Sequence, residues 1–451
     1  MKIIIVGCGK VGTALAAQLS AEKHNVTMID INDELLSNIS QIHDVMPISG
    51  NGLSSATLKE AGLDDAGLFI AVTKSDEINL LCCVVAKQST TIRTIARVRS
   101  PLYRGETEFL RKKLGIDMII NPEHAAAKEV ARLLQFPSAT DIDSFFNNKI
   151  DMIRFRVPRT SPIVGTALKD MPRRDGNVLV CAAAEGDKAV IPDGEFVIKG
   201  GSDISIIASL ADAEKFIHRA GVDAGRVKSA MIIGGGELSY YLAEMLDRIN
   251  IDVKIIERDH RRAVELSGLL PGCTIICGDG SDKELLKEED IDSVDAVIAC
   301  TDFDEENIIL SLYARRHARK KVVTKVNHLD MDDVLEDLEL DSIVNPKHIT
   351  VEYIIQFVRA LTNSQGSNVE MLYKLMGDRF EALEFVVKDN CKAAGKPLKD
   401  LKTRDNTLVA GIMHNGHFII PGGTDSLTPG DSVVVVTTHR DMADLNDIIE
   451  Q

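Results

Sequence analysis

The sequence predicts an α/β protein with two doubly wound parallel-sheet domains, each followed by a small α/β module. Three observations carry this expectation. Apolar runs of four to six residues alternate with helical patterns, the mark of a parallel sheet covered on both faces. A glycine loop, Gly7-x-Gly9-x-x-Gly12, separates the first run from the first helix. The whole order of blocks then occurs a second time within the 451 residues. Single hydrophobic cores stop growing near about 250–300 residues, so the length itself calls for several domains.

Each element has a local reason. Lys2-Ile3-Ile4-Ile5-Val6 is a short β-branched run suited to a buried strand. Gly7-Cys8-Gly9-Lys10-Val11-Gly12 follows it, and helical spacing continues from Val11 to Leu19. Val26-Thr27-Met28-Ile29-Asp30 is the second strand, Ile48 leads the third into Gly50-Asn51-Gly52, and Leu68-Phe69-Ile70-Ala71-Val72 is the fourth. Thr73-Lys74-Ser75-Asp76 is a helix start, with Asp76 and Glu77 complementing the dipole of a helix that runs through Asn79 to Lys87. Arg97 ends the fifth strand. Asn121-Pro122-Glu123 places Asn at an N-cap and Pro at the first helical position, where its missing N–H costs nothing.

The second copy keeps this order. Ile232-Ile233 leads into Gly234-Gly235-Gly236-Glu237-Leu238-Ser239, and Val253-Lys254-Ile255-Ile256-Glu257 repeats the second strand. Ile276-Cys277-Gly278-Asp279-Gly280 answers the third, and Thr301-Asp302-Phe303-Asp304 answers Thr73 to Asp76. Lys325 stands where Arg97 does, and Asn345-Pro346-Lys347 opens the second crossover helix. Behind each helix the small module is repeated too. Gly165-x-x-Leu168-Lys169-Asp170 pairs with Gly395-x-x-Leu398-Lys399-Asp400, Arg174-Asp175 with Arg404-Asp405, and Ile191-Pro192 with Ile420-Pro421. Its last strands, Ile204 to Ala208 and Val433 to Thr437, follow turns at Gly201 and Gly430. The expected boundaries are 1–120 for the first sheet domain, 121–139 for its crossover helix and 140–225 for the first small domain, then 226–344, 345–366 and 367–451 for the second set.

Composition restricts the partners. A formal charge of −16 repels phosphate at long range, against a general nucleic-acid or anionic-membrane surface. The longest apolar runs, such as Leu80 to Ala86, fall short of the roughly 18–20 residues that span a bilayer, and no signal peptide is expected. The eight cysteines lie mostly in apolar runs and form no Cys-x-x-Cys pair, which reads as buried reduced thiols in a reducing cytoplasm, with no metal site. His414-Asn415-Gly416-His417 reads as a hairpin turn, because Asn-Gly between apolar runs favours one.

The glycine loop carries the chemistry. Its first Gly allows the tight turn, the second lets backbone approach a pyrophosphate, and the third packs helix on strand. The helix N-terminus then faces the anion. A carboxylate about 20 residues on accepts from ribose hydroxyls, and Asp30 stands there. Ile31 and Asn32 follow it with no nearby Arg for a 2′-phosphate, so NAD or NADH is preferred, with ATP or another adenosine nucleotide left open. In the second loop Ser239 replaces the third Gly, Glu257 keeps the carboxylate, and Arg258 offers an adenine stack or a phosphate contact, leaving NAD(H) or ATP/ADP open there.

Further candidates for nucleotide contact are the other loop residues, Cys8, Lys10 and Val11 in the first loop and Gly235, Glu237 and Leu238 in the second, with Gly50, Asn51, Gly278 and Asp279 at the ends of the third strands, and Thr73, Thr301, Arg97 and Lys325 at the ends of the fourth and fifth. No titratable pair with a catalytic mechanism recurs between the halves. The repeats therefore favour binding and communication over chemistry, and no catalytic residue is assigned.

The duplicated order of glycine loop, Asp30, Gly-x-Gly, Thr-x-x-Asp-Glu-x-Asn and a small Gly-x-x-Leu-x-Asp module resembles the TrkA family across essentially the whole chain. The resemblance implies two regulator-of-potassium-conductance units, each a Rossmann-type domain followed by a small TrkA-C-like domain. It implies a cytoplasmic homotetramer that responds to nucleotide and docks on a membrane potassium-translocating subunit of the TrkH/TrkG type. Gly7, Gly9, Gly12 and Asp30, with Gly234, Gly236 and Glu257, would contact nucleotide. The small modules would serve interaction or a second ligand, since related modules bind cyclic dinucleotides. The alternatives are a nucleotide sensor with another partner and, more distantly, an NAD-dependent oxidoreductase.

Overall fold

The computed structural model describes residues 1–89, 91–100, 103, 106–146, 149–171, 177–185, 188–222, 225–327, 338, 340–363, 369–376, 379–440, 442 and 444–450. The chain forms two compact units. One comprises Met1–Ala131 with Lys228–Ile355, the other Arg132–Val227 with Gln356–Gln451.

The first unit holds two six-stranded sheets. Strands β1 (Lys2–Val6), β2 (Asn25–Asp30), β3 (Val45–Ser49), β4 (Leu68–Ala71), β5 (Arg93–Arg97) and β6 (Met118–Ile120) run parallel in the order β3-β2-β1-β4-β5-β6. Ile3, Ile4 and Ile5 of β1 and all of β4 are fully buried, as expected of strands covered on both faces. The order reverses between β1 and β4, the place where open α/β sheets bind ligands at the carboxyl ends of their strands. Helices Lys10–Ala21 and Asp76–Ser89 leave that crevice.

In the second unit the strands are the antiparallel β7 (Asp141–Phe145), β8 (Ile150–Arg156), β9 (Val178–Glu185), β10 (Lys188–Val190) and β11 (Asp203–Ala208), ordered β10-β9-β11-β8-β7. The second half of the chain repeats both sheets. Its parallel sheet is built from β12 (Ser229–Ile233), β13 (Asp252–Glu257), β14 (Thr274–Cys277), β15 (Ala296–Ala299), β16 (Lys321–Lys325) and β17 (Ser342–Val344), in the order β14-β13-β12-β15-β16-β17. Its antiparallel sheet is built from β18 (Val369–Leu375), β19 (Phe380–Val386), β20 (Thr407–His414), β21 (His417–Ile419) and β22 (Ser432–Thr437), in the order β18-β19-β22-β20-β21.

The duplication extends to irregularities. A bulge leaves Cys181 unpaired on β9 and Ala410 unpaired on β20, and the β7–β8 and β18–β19 hairpins carry Phe146 and Met376 at the same left-handed φ of 53°. The two antiparallel sheets share one core. Phe145, Phe146, Ile150 and Met152 pack with Leu375, Met376, Phe380 and Ala382 in a single buried cluster. The Phe146 amide donates to the buried Glu384 carboxylate at 3.0 Å, and the Tyr373 hydroxyl donates to the Ser144 carbonyl at 2.9 Å.

Several local expectations hold. Asn121 and Asn345 cap their helices through side-chain oxygens, with Pro122 and Pro346 first in the helix. Asn415 and Gly416 take positive φ of 48° and 82° in a two-residue hairpin turn, and His414 Nδ1 lies 2.6 Å from Asp431. One expectation changes. All eight cysteines are free, but Cys277 is exposed because its strand β14 is a sheet edge. The first small module ends in the helix Leu210–Arg219, whereas among the described residues the second ends in the 3-10 turn Leu445–Ile448. Arg174 and Asp175 lie outside the described residues. No described helix is long and apolar enough to cross a membrane.

Candidate functional site

Both glycine loops have the geometry their sequence demands. Gly7 has φ +109°, and a Cβ on it would lie 3.0 Å from the Thr73 nitrogen and the Val72 carbonyl carbon. A Cβ on Gly12 would fall 1.9 Å from the Gly7 carbonyl oxygen, so only glycine lets this helix approach this closely. Gly9 is the N-cap, with no side-chain cap and nothing within 4 Å of a Cβ position. As a glycine, Gly9 gives the helix start no side-chain cap, the arrangement in which helix N-termini receive anions. Val11 is buried beneath them and Lys10 is exposed beside them.

The second loop matches. Gly234 has φ +100° against the Cys300 carbonyl and Thr301 nitrogen, Gly236 is an N-cap open to 4 Å, and Leu238 is buried. Gly235 stands in the place of Cys8, and a Cβ there would make Leu266 Cδ1 at 2.7 Å and Glu257 Oε2 at 2.8 Å shift. Ser239 turns its hydroxyl onto the loop carbonyl equivalent to that of Gly7. Its hydroxyl donates to the Gly234 carbonyl at 2.5 Å and lies 3.3 Å from Cys300 Sγ. The departure from glycine keeps the packing. Ser239→Ala should lower stability by about 1 kcal/mol, read as a fall in Tm; an unchanged Tm would show the bond contributes nothing.

The two carboxylates do the same work in each half. Asp30 Oδ2 accepts from the Cys8 amide at 2.6 Å and Oδ1 from the Asn32 amide at 2.9 Å. Glu257 Oε2 accepts from the Gly235 amide at 2.6 Å and Oε1 from the Asp259 amide at 2.7 Å. Each anchors its glycine loop, and each retains lone pairs, since a carboxylate offers about four acceptor positions. Burial and the Asp30 charge push the Cys8 thiol up to about 12, which leaves it inert at neutral pH.

At the ends of the fourth and fifth strands the structure brings together a residue the sequence reading passed over. Asn79 is fully buried; its Oδ1 accepts from the Thr73 amide at 2.7 Å and hydroxyl at 2.8 Å. Its Nδ2 donates to the Thr73 carbonyl at 3.2 Å and the Arg97 carbonyl at 2.8 Å. Arg97 Nη2 donates to the Thr73 carbonyl at 2.8 Å, while its Nε is buried without a partner. Burial, then the Arg99 charge, lowers the Arg97 pKa. Asn307 joins Thr301 and Lys325 in the same way, at 2.8, 2.9, 3.1 and 3.0 Å, and Lys325 Nζ reaches the Thr301 carbonyl at 3.1 Å.

The acidic helix starts also do more than complement dipoles. Asp76 accepts from the Arg99 and Ser100 amides at 2.9 and 2.8 Å, and Asp304 from the Asn327 amide at 2.9 Å. Gly50 and Gly278 have packing reasons to be glycine, since a Cβ would meet Thr57 at 2.7 Å or Leu285 at 2.5 Å. Asn51 and Asp279 turn back onto the Leu53 and Ser281 amides, each at 2.9 Å. The Arg258 guanidinium lies 5.7 Å over the Phe303 ring.

Comparison with known proteins fits this arrangement. Residues 3–122 and 230–346 match the TrkA-N domain, and residues 152–221 and 382–450 match the TrkA-C domain. Trk system potassium uptake protein TrkA homolog 1 of Methanosarcina mazei is 32% identical over 443 residues, covering 96% of this chain and 97% of that protein. Trk system potassium uptake protein TrkA of Vibrio alginolyticus is 30% identical over 447 residues, covering 98% and 96%. Among solved structures, the GsuK channel bound to NAD superposes with a TM-score of 0.63 at 18% identity, over 97% of this chain and 76% of that one. The GsuK RCK domain gives 0.62 at 17% identity, over 97% and 92%; both likenesses concern the fold. With each domain type matched twice, on the parallel and antiparallel sheets in turn, and relatives aligned end to end, this chain belongs to the TrkA family.

Proposed function

We propose that this chain is the nucleotide-responsive regulatory subunit of a Trk-type potassium uptake system. It works in the cytoplasm as a homotetramer, docked through protein contacts on a membrane potassium-translocating subunit of the TrkH/TrkG type. NAD or NADH binds at the first loop, with its diphosphate on the Gly7–Gly12 turn and the helix N-terminus, and its adenosine ribose on Asp30. The carrying observation is that Asp30 holds the Cys8 amide at 2.6 Å with acceptor capacity to spare, beside an uncapped helix start at Gly9. End-to-end relatives named as Trk potassium uptake proteins support the transport role.

The role is regulation without bond chemistry. A ligand moves a gate only by its differential affinity for the open and closed states. Shifting a gate from 1:99 to 99:1 takes about 5.5 kcal/mol. One site that discriminates tenfold supplies about 1.4 kcal/mol, so four first-loop sites acting together in a tetramer reach the requirement.

Reconstitution with the membrane subunit in potassium-loaded vesicles tests this reading. Flux should change steeply with NAD or NADH, Asp30→Ala should blunt that response, and native mass spectrometry should find a tetramer. Flux indifferent to NAD, NADH, ATP and ADP alike, or a monomer, would defeat the proposal. The purified protein should also leave NADH unconsumed with keto acids, aldehydes or quinones.

A further inference from the structure

The two glycine loops share a backbone but face opposite charges. At the first, Lys10 opens the helix, and its charge acts on Lys347 of the other half, whose pKa is lowered by burial and then by Lys10. At the second, the corresponding positions hold Glu237 and Glu123, and burial followed by the opposing effects of Arg262 and Glu123 leaves the Glu237 carboxyl raised. Glu237 Oε1 accepts from Arg262 Nη2 at 3.3 Å, while Oε2 is buried with no partner. Arg262 is already shared: its Nε donates to the Gly235 carbonyl at 2.9 Å and its Nη1 to Glu265 at 2.9 Å.

The helix behind the second loop is also tied down. The Tyr241 hydroxyl accepts from Asn121 Nδ2 at 3.0 Å, and its ring meets His124 edge-on at 5.2 Å. The first loop has the exposed Ala14 at that position. A helix N-terminus favours negative charge, and here the chain supplies its own.

We propose that Glu237 reserves the anion position of the second glycine loop for its own carboxylate, so that the chain takes its dinucleotide at the first loop and excludes NAD(H), ATP and ADP from the second. This rests on the nucleotide reading above. A diphosphate entering the second loop would meet Glu237 with Glu123 close by, and the cations that act on Glu237 are engaged: Arg262 is divided between two carboxylates and a carbonyl, and Arg99 bonds Glu123 at 2.8 Å. Like charges at contact distance in a half-buried site weaken binding by more than about tenfold. Exclusion comes from charge, because the loop backbone itself is preserved.

Calorimetry on the full-length protein, with NADH and ADP as probes, decides it. Wild type should bind one NADH per chain, and Asp30→Asn should weaken that site. Glu237→Gln keeps the shape and removes the charge; it should strengthen ADP binding at the second loop by about tenfold or more. Glu237→Lys should do so further, and the gained site should survive Asp30→Asn. Two equal sites in wild type, or a single site unchanged by both Glu237 variants, would overturn the proposal while leaving the nucleotide reading standing. No binding of either probe to any variant would overturn both.

Discussion

Asp30→Ala is expected to weaken NADH binding by about 2–4 kcal/mol, a loss of roughly 30- to 1,000-fold, and to lower Tm as well, since the Cys8 and Asn32 amides lose their acceptor. Two effects combine. Charge-assisted bonds to ribose hydroxyls disappear, and the Cys8 amide loses the carboxylate that holds the glycine loop at 2.6 Å. Asp30→Asn separates them, since an amide retains one acceptor for Cys8 but lacks the charge and the second oxygen. It should fall between wild type and Ala. Calorimetric titration of both variants checks this, and an affinity unchanged in Asp30→Ala would remove the residue from the site.

Asn79→Ala should be the more damaging to the fold, by about 2–4 kcal/mol. Its side chain makes four bonds in a fully buried position, and truncation leaves the Thr73 amide unpaired beside the backbone that packs on Gly7. Thr73 and Arg97 would lose their common tie at the sheet's carboxyl edge, so nucleotide affinity should fall along with Tm. Asn79→Asp keeps an acceptor but loses both donors and adds a buried charge, so it should offer no rescue. Asn307→Ala repeats the experiment in the other parallel-sheet domain, and the two losses should add because the networks share no residue. A melting curve that does not move for Asn79→Ala would refute the account.

These two residues mark what could be read ahead of the structure. The place of Asp30 beside the glycine loop was legible because it follows from spacing along one chain segment: a strand, a glycine turn and a carboxylate at the end of the next strand. The same holds for Asn121 and Pro122, whose capping is local. Asn79 stood in plain view within a duplicated motif, yet a polar residue in the first turn of a helix has no local signature of burial. Three of its bonds reach Thr73, six residues back, and the fourth reaches the Arg97 carbonyl on another strand, 18 residues on. Glu237 read as one of the nucleotide-contacting loop residues, and the sequence did not show Arg262 and Glu123, distant along the chain, beside it. Ser239 looked like a weakened glycine, and only the Gly234 carbonyl at 2.5 Å explains its fit. The packing of Thr57 and Leu285 around Gly50 and Gly278 comes from the following helices, and no spacing in the strand announces it.

The shared core of the two antiparallel sheets has a consequence for assembly. Phe145, Phe146 and Met152 from one half and Leu375, Phe380 and Ala382 from the other bury surfaces that neither half covers alone. The polypeptide is in this sense its own dimer, and because the partners are tethered, dilution does not part them. A fragment ending near Val227 should accordingly pair with a second copy of itself through the exposed face. Fusion also frees the two halves from identity. A symmetric homodimer must present the same side chain twice, whereas a tandem chain holds Lys10 on one loop and Glu237 on the other without surrendering the pairing.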